Sequence, residues 1–443
     1  MTRLRDLGAR IEARQARIGV MGLGYVGLPL AVEFAKAGFP VTGFELDAEK
    51  VRAIAEGRSY IEDVPQADVK SFVEKGALHA TTDMNELTAC DVINVCVPTP
   101  LTKTKDPDFS YMVAAVEEIR KRLRAGQLII LGSTTYPGTT HELYLPLLAA
   151  SGLRVGEDFS LAFAPERIDP ANKKFKVRNV PKVVGGETPL CTQLAVRSFE
   201  PVFDTVIPVS SSQAAEMVKL LENTFRAINI GLANEVALMC DKLGLDVWEV
   251  IDAAATKPYG YMKFQPGPGL GGHCIPVDPT YLSWKMKALN FTARFIELAT
   301  EINGHMPDYV AEKCGHILNE ERLPVNGSGI LVLGVAYKPD VGDMRESPAL
   351  DVIRLLQERG GRVSYHDPHV PELHLEGHGH HEAAVLKSVD LTDDALRSAD
   401  LVVIITNHAE VDYDRVVRLA GRIYDTRNAC AKVKEGREKI RKL

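Results

Sequence analysis

At 443 residues, with 45% hydrophobic and 25% charged residues and a net charge of -7, the chain has the composition of a globular protein of about two to three domains. It holds no uninterrupted apolar run of about 18 residues to span a bilayer, and its mild acidity argues against a nucleic-acid surface. Seven scattered cysteines, odd in number and without a Cys-x-x-Cys pair, argue against a disulfide framework and a zinc site, so reduced thiols and a cytoplasmic location are expected, with no nucleic-acid or membrane partner.

Residues Met1 to Arg17 carry Arg3, Arg5, Arg10, Arg14 and Arg17 but no apolar core of a signal peptide, which predicts a leading amphipathic helix. Arg17–Met21 reads as a buried strand that runs into Gly22-Leu-Gly-Tyr-Val-Gly27, a helix over Leu28–Ala37 closed by Gly38, and a second strand at Val41–Phe44, a βαβ unit. Strand-like runs at Val92–Val97, Leu128–Gly132 and Leu161–Ala164 extend a doubly wound parallel sheet to about residue 205. The pattern is helical from Ser210 to Ala255 and from Pro279 to about Asn303. It returns to α/β with a strand at Gly329–Val335, a helix at Ser347–Arg359 and strands at Arg362–Tyr365 and Leu401–Thr406. The expected class is α/β, two Rossmann-like doubly wound domains joined by a central helical domain, with boundaries at 1–205, 206–305 and 306–443. Open α/β sheets take ligands beyond the carboxyl ends of their strands, so a cleft between the two nucleotide folds is expected.

Gly22, Gly24 and Gly27, with Tyr25 and Val26 between them, follow a strand and open a helix, the context in which this spacing cradles a dinucleotide diphosphate. Glu45, at the end of the second strand, can accept a hydrogen bond from the ribose 2′-OH and would repel a 2′-phosphate, which favours NAD over NADP. Asp47 is the fallback acceptor, and Lys50 can reach the diphosphate or ribose. Pro98 and Thr99, and Ser133 and Thr134, end two strands at the sheet rim, where they either contact cofactor or substrate or cap turns. Lys338 and Arg345 occupy the equivalent rim of the late sheet, where cations suit a diphosphate.

Lys219 and Asn223 lie one helical turn apart, an ammonium and a carboxamide able to stabilise an oxyanion together. Glu166 and Arg167 follow a strand, where Glu166 can position water. Cys274 stands in Pro266-Gly-Pro-Gly-Leu-Gly-Gly-His-Cys-Ile-Pro-Val-Asp-Pro279, read as a glycine-lined loop that offers a thiolate nucleophile, with Asp278 four residues on. A nucleophilic thiol in a chain with a hydride-acceptor site suggests oxidation through a thioester. His366, His369, His374, His378, His380 and His381 crowd a late segment, but their spacing follows no zinc pattern, so an exposed loop and no metal site are expected.

These motifs together resemble the UDP-glucose/GDP-mannose dehydrogenase family from Ile18 to about Arg427. Lys257-Pro-Tyr-Gly-Tyr261 and Gly271-Gly-His-Cys-Ile-Pro-Val-Asp278 are most similar to its UDP-N-acetylhexosamine branch; UDP-glucose members carry Ser in place of His273 and Lys in place of Val277. The resemblance implies four-electron oxidation of a sugar C6 hydroxyl by two NAD, with Cys274 forming a thiohemiacetal and then a thioester. It implies Lys219 and Asn223 as the oxyanion and water-holding pair, Asp278 as their partner, Glu166 as base for hydrolysis and Thr134 as a hydroxyl at the reacting centre. Glu166, Arg167, Lys219, Asn223, Tyr259, Phe264, Gly271, Tyr337 and Lys338 would line the UDP-sugar, and Arg345 would reach the cofactor. A homodimer or higher homo-oligomer through the central helices is expected.

UDP-N-acetylglucosamine is the expected substrate, for surface polysaccharide precursors, with UDP-N-acetylgalactosamine, UDP-N-acetylmannosamine and UDP-glucose as alternatives. Glu45 departs from the family's usual Asp, and the Arg that the UDP-glucose branch lends from a neighbouring subunit has no clear counterpart near Lys257. Readings of another class are a single-step β-hydroxyacid-type dehydrogenase, which needs no thiol, and a non-catalytic NAD or nucleotide-sugar sensor.

Overall fold

The computed structural model describes residues 2–102, 106–168, 174–272, 274–375 and 384–443. They divide into two compact units, Met1–Glu222 with Thr280–Asn290, and Asn223–Pro279 with Phe291–Leu443. In the first, chain order is α1 (Thr2–Glu12), β1 (Ile18–Met21), α2 (Gly27–Lys36), β2 (Val41–Phe44), α3 (Ala48–Ala55), α4 (Gln66–Glu74), β3 (Leu78–Thr81), β4 (Val92–Val95), α5 (Ser110–Arg122), β5 (Leu128–Leu131), α6 (Leu145–Ala149), β6 (Ser160–Phe163), β7 (Lys182–Gly186), α7 (Pro189–Phe199) and β8 (Val206–Pro208). The strands order as β3-β2-β1-β4-β5-β6-β7-β8, and only the β6–β7 pair is antiparallel.

Helices on both faces explain why β1 and β5 are apolar throughout, and β4 at every position but Asn94, rather than alternating. Ile18, Val20 and Ile130 pack with α1, α2 and α7 on one side, while Ile93, Val95, Ile129 and Leu131 pack with α5 on the other. The leading helix is amphipathic as expected. Leu4, Leu7 and Ile11 are buried at helical spacing, and Arg10 pairs with Asp91 at 2.6 Å.

The long helix α8 (Ser212–Leu243) follows, then α9 (Val247–Ala254), α10 (Cys274–Ala288), α11 (Arg294–Glu320), β9 (Gly329–Leu333), α12 (Pro348–Glu358), β10 (Arg362–His366), β11 (Glu372–Leu375), β12 (Ala384–Lys387), α13 (Asp393–Ser398), β13 (Leu401–Ile404), α14 (Tyr413–Leu419), β14 (Ile423–Asp425) and β15 (Ile440–Lys442). The division into units cuts α8 after Glu222 and α10 after Pro279. In the second unit β10-β9-β13-β14-β15 form a wholly parallel sheet. Among the described residues, no helix is long and apolar enough to cross a membrane.

Three expectations are corrected. Cys274 opens α10 instead of standing in a loop, and that helix begins five residues before Pro279. Pro276 falls in the first turn, where its missing N–H has no helical partner to lose, and Pro279 is carried inside the helix. Similarly, α11 runs through Pro307 to Glu320 instead of ending near Asn303, because Met306, Val310, Cys314 and Leu318 continue the buried face past the proline. Third, the histidine-rich segment is partly strand: β11 pairs with β12 antiparallel, with His374 opposite Val385, and His366 ends β10. His378, His380 and His381 lie outside the described residues.

Glu216, in the first turns of α8, is 1% exposed and accepts hydrogen bonds from the Thr140 N–H at 2.9 Å, the Thr140 hydroxyl at 2.6 Å, the Gly138 N–H and the Thr135 hydroxyl. Burial outweighs these donors and pushes the carboxyl up to about 7. The folded state then holds the proton more tightly than the unfolded chain. The resulting stability is full below the ordinary carboxyl range and is lost as pH rises through 7. Glu216→Gln is expected to remove about 2–3 kcal/mol of the stability change between pH 5 and pH 8, read from urea unfolding of both proteins at the two pH values.

Candidate active site

In the first unit the turn between β1 and α2 is shaped by what its glycines lack. Gly22 has φ +84°, and a Cβ there would lie 2.6 Å from the Cys96 carbonyl oxygen; a Cβ at Gly27 would overlap the Gly22 carbonyl. Gly24 is different, since a Cβ there would meet nothing within 4 Å. Two glycines thus compress the turn against β4 and α2, and the third leaves an open backbone surface for a diphosphate. No side chain caps α2 at Val26, so its first-turn amides are not occupied that way. Tyr25 is 56% exposed over this surface.

Glu45 accepts hydrogen bonds from the Leu23 N–H at 3.0 Å and the Leu46 N–H at 2.9 Å, with Lys50 Nζ at 3.8 Å. It therefore joins the glycine turn to the end of β2, where an adenosine ribose would be met. Asp47 caps α3 by accepting from the Glu49 N–H, so it is committed to the helix. These features fit a bound dinucleotide.

At the same rim Pro98 is exposed, Thr99 is buried with its carbonyl accepting from the Tyr281 hydroxyl at 3.0 Å, and the Ser133 hydroxyl donates to the Val97 carbonyl at 2.7 Å. Ser133 ties the turn after β4 to the turn after β5, the capping role. Thr134 beside it is buried.

Glu166, beyond β6, accepts from the Arg167 and Ile168 N–H groups at 2.8 and 2.9 Å and pairs with Lys182 at 3.2 Å. Lys182 is 3% exposed, donates to the Pro165 carbonyl, and lies 5.4 Å from the ring centres of Phe199 and Phe203. Arg167 is held by Glu222 of α8 and donates to the Pro181 carbonyl at 2.6 Å. Lys182 and Glu222 were not singled out from sequence; a lysine inside the apolar strand Lys182-Val-Val-Gly-Gly186 was the available signal. Lys219 on α8 is 8% exposed.

In the second unit Asn223 of α8 donates to Asp278 of α10 at 2.6 Å. Asp278 is fully buried and lies one helical turn after Cys274, the exposed first residue of α10. The other cysteines are buried or half-buried, and burial pushes the Cys90, Cys96 and Cys314 thiols up to about 12.

The glycines ahead of Cys274 bring its approach close to the loop after β9. A Cβ at Gly271 would stand 2.8 Å from Tyr337 Cβ, and one at Gly272, where φ is +86°, would stand 2.8 Å from the Tyr337 ring. The Gly272 N–H donates to the Arg345 carbonyl at 3.0 Å. Lys338 Nζ lies 5.5 Å from the Tyr337 ring centre, and the Arg345 guanidinium pairs with Asp343 at 2.6 Å. Phe264 meets Phe225 edge to face.

Tyr259 is 72% exposed beside Lys257, and among the described residues no hydrogen bond or ring contact ties it to this cluster. Arg427, past the end of β14, was also missed in the sequence. Its Nε donates to the Ile405 carbonyl, Gly267 packs directly on its guanidinium, and burial with no neutralising carboxylate among the described residues pulls its pKa down to about 10.

A dinucleotide turn on a largely parallel sheet, a second, parallel nucleotide fold and an exposed thiol at a helix start define an NAD-dependent dehydrogenase of nucleotide sugars. The chain belongs to the UDP-glucose/GDP-mannose dehydrogenase family, whose NAD binding domain matches residues 16–203, central domain residues 213–305 and UDP binding domain residues 331–432. It is 37% identical over 359 residues to UDP-N-acetyl-D-glucosamine 6-dehydrogenase of Pseudomonas aeruginosa, covering 81% of this chain and 84% of that protein. It is 35% identical over 414 residues to NDP-N-acetyl-D-galactosaminuronic acid dehydrogenase of Ralstonia nicotianae, covering 90% and 93%. The solved UDP-D-ManNAc dehydrogenase of Pyrococcus horikoshii superposes with a TM-score of 0.84 at 32% identity over 95% of this chain and 96% of that one.

Replacing Lys182 by Met leaves Glu166 buried with no counter-charge. Lys182→Met is expected to cost about 3 kcal/mol of stability in urea unfolding, with Lys182→Arg retaining most of it.

Proposed function

We propose that the protein oxidises the C6 hydroxyl of a UDP-N-acetylhexosamine, UDP-N-acetylglucosamine foremost, to the uronic acid. The observation that carries this reading is Cys274, the exposed thiol at the start of α10, one turn from the buried Asp278 that holds Asn223. Bound NAD supplies the hydride acceptor, once for alcohol to aldehyde and once more to reach the acid level, two per sugar. The Cys274 sulfur adds to the aldehyde carbon to give a thiohemiacetal, whose oxidation leaves a thioester; water then attacks, and the thiolate departs as the carboxylate forms.

The partial positive charge of the first helical amides favours an anionic sulfur at the head of α10. Asn223 donates to the substrate oxygen or the attacking water, Lys219 adds a cation for the oxyanion, and Thr134 contributes a hydroxyl at the reacting centre. Asp278 orients Asn223. Glu166 orients the hydrolytic water, with Lys182 fixing its carboxylate. Tyr337, Lys338, Gly271, Phe264 and Arg427 receive the UDP-sugar, and Gly24, Glu45 and Lys50 receive the dinucleotide.

Relatives named for N-acetylglucosamine, N-acetylmannosamine and N-acetylgalactosaminuronic acid support an N-acetylated sugar, while leaving its C2 and C4 configuration to the shape of the pocket. A cytoplasmic homodimer is part of this reading, supported by Leu221, Phe225, Leu232, Met239 and Leu243, apolar side chains of α8 each at least 44% exposed.

NADH counted against UDP-N-acetylglucosamine, UDP-N-acetylgalactosamine, UDP-N-acetylmannosamine and UDP-glucose is expected to give two per sugar, with UDP-N-acetylglucosamine highest in kcat/KM. Equal or better turnover of UDP-glucose refutes the N-acetylhexosamine assignment. In Cys274→Ala, carboxylate formation is expected to fall by about a thousandfold or more. One NADH per sugar and a rate indifferent to that substitution would reject the thioester route.

A further inference from the structure

The UDP binding domain contains a buried polar network to which the chemistry above assigns no part. Asp367 and His408 are 3% and 1% exposed. Asp367 Oδ2 accepts hydrogen bonds from the Val335 N–H at 2.7 Å, the Ala336 N–H at 3.1 Å and His408 Nε2 at 3.0 Å. Its Oδ1 accepts from the His369 N–H at 2.8 Å and the Val370 N–H at 3.1 Å. Burial pushes this carboxyl up, but His408 and the amide donors outweigh it and hold the group below the ordinary carboxylate range.

The protonation pattern of His408 follows from its partners. Its Nδ1 receives the Asp340 backbone N–H at 3.0 Å, and a backbone amide can only donate. Nδ1 is therefore bare, and Nε2 carries the proton that goes to Asp367. Ligand atoms of Asp340, His369 and His408 lie within 4.8 Å of one another, which resembles a metal site. Both His408 nitrogens are committed, however, so its ring has no lone pair for a cation, and metal binding would require breaking the bond from Asp340.

The two anchors bracket a short stretch of chain. Asp367 holds Val335 and Ala336 on one side, and His408 holds Asp340 on the other; between them stand Tyr337, Lys338 and Pro339. Asp340 sits in the left-handed region at φ +60°, which is disfavoured for a residue with a side chain, and the Ala409 N–H donates to its Oδ1 at 2.8 Å. The Thr406 hydroxyl adds a bond to the Ala336 carbonyl at 2.6 Å.

We propose that Asp367 and His408 are positioning residues for the dehydrogenase reaction: they clamp residues 335–340 at both ends and hold Tyr337 and Lys338 in the geometry that receives the UDP-sugar. The inference rests on the reading of Tyr337 and Lys338 as residues that line the nucleotide sugar. Tyr337 also packs on Gly272, two residues before Cys274, so the clamp sets the surface against which the approach to the thiol is placed.

The test uses the full-length enzyme with UDP as the calorimetric probe, alongside KM, kcat and NADH affinity, for His408→Leu, His408→Gln and Lys338→Ala. In His408→Leu the Kd for UDP and the KM for the sugar are expected to rise about tenfold, with kcat within about twofold and NADH affinity unchanged. His408→Gln is expected to recover most of the loss, because its carbonyl can accept from Asp340 and its amide can donate to Asp367. If His408→Leu does not fold, Thr406→Val replaces it with the same expected split. UDP affinity unchanged in His408→Leu but weakened in Lys338→Ala overturns the clamp alone. UDP affinity unchanged in both overturns the sugar-lining reading and the clamp with it. A parallel fall in UDP affinity, NADH affinity and kcat, without recovery in His408→Gln, marks a general structural role and also overturns the proposal.

Discussion

Parallel strands cannot be joined by a tight hairpin. Each must be followed by a crossover that returns the chain to the opposite edge, and the turns leaving the strands therefore collect along one carboxyl edge. Many of the residues given proposed roles obey this constraint unit by unit, while Lys219, Asn223, Cys274 and Asp278 stand on α8 and α10. In the first sheet the glycine turn after β1, Glu45 after β2, Ser133 and Thr134 after β5 and Glu166 after β6 all leave carboxyl ends. In the second, Tyr337 and Lys338 leave β9, Asp367 leaves β10, His408 follows β13 and Arg427 leaves β14. A fold chosen to bury both faces of a sheet thus concentrates its irregular backbone, with its free amides and carbonyls, on a single rim.

Charge has also been taken out of water in both units, and each group is handled differently. Glu166 is neutralised by Lys182, whose ammonium also lies near two aromatic rings. Asp367 has five donors and retains its charge. Glu216 has donors as well, yet burial dominates. Arg427 has a carbonyl but no carboxylate among the described residues, so an anionic ligand would complete it. Thiols follow the same logic, with burial keeping Cys90, Cys96 and Cys314 protonated while Cys274 stands exposed at a helix start.

Much of this was legible before any coordinates. Apolar strands such as Leu-Ile-Ile-Leu at β5, glycine punctuation at Gly22, Gly24, Gly27 and Gly38, and the helical spacing of Leu4, Leu7 and Ile11 report local physics that acts within a few residues. Packing overrides local rules at two prolines. Pro307 marks a helix stop by local rules, but Met306, Val310, Cys314 and Leu318 keep α11 intact through it, and the run before Pro279 reads as loop although α10 already begins at Cys274.

The chain's own sequence determined its α/β class, the dinucleotide turn, the acidic residue after β2 and the cysteine that carries the proposed chemistry, because each is a signature of spacing and residue type. Only the tertiary structure decided that Asp47 is a helix cap, that Lys182 partners Glu166, that Arg427 meets Gly267, and that Asp367 and His408 hold both ends of residues 335–340. Those pairings join residues that are distant along the chain or compete for the same partner, and they depend on burial, which no local pattern of residues records.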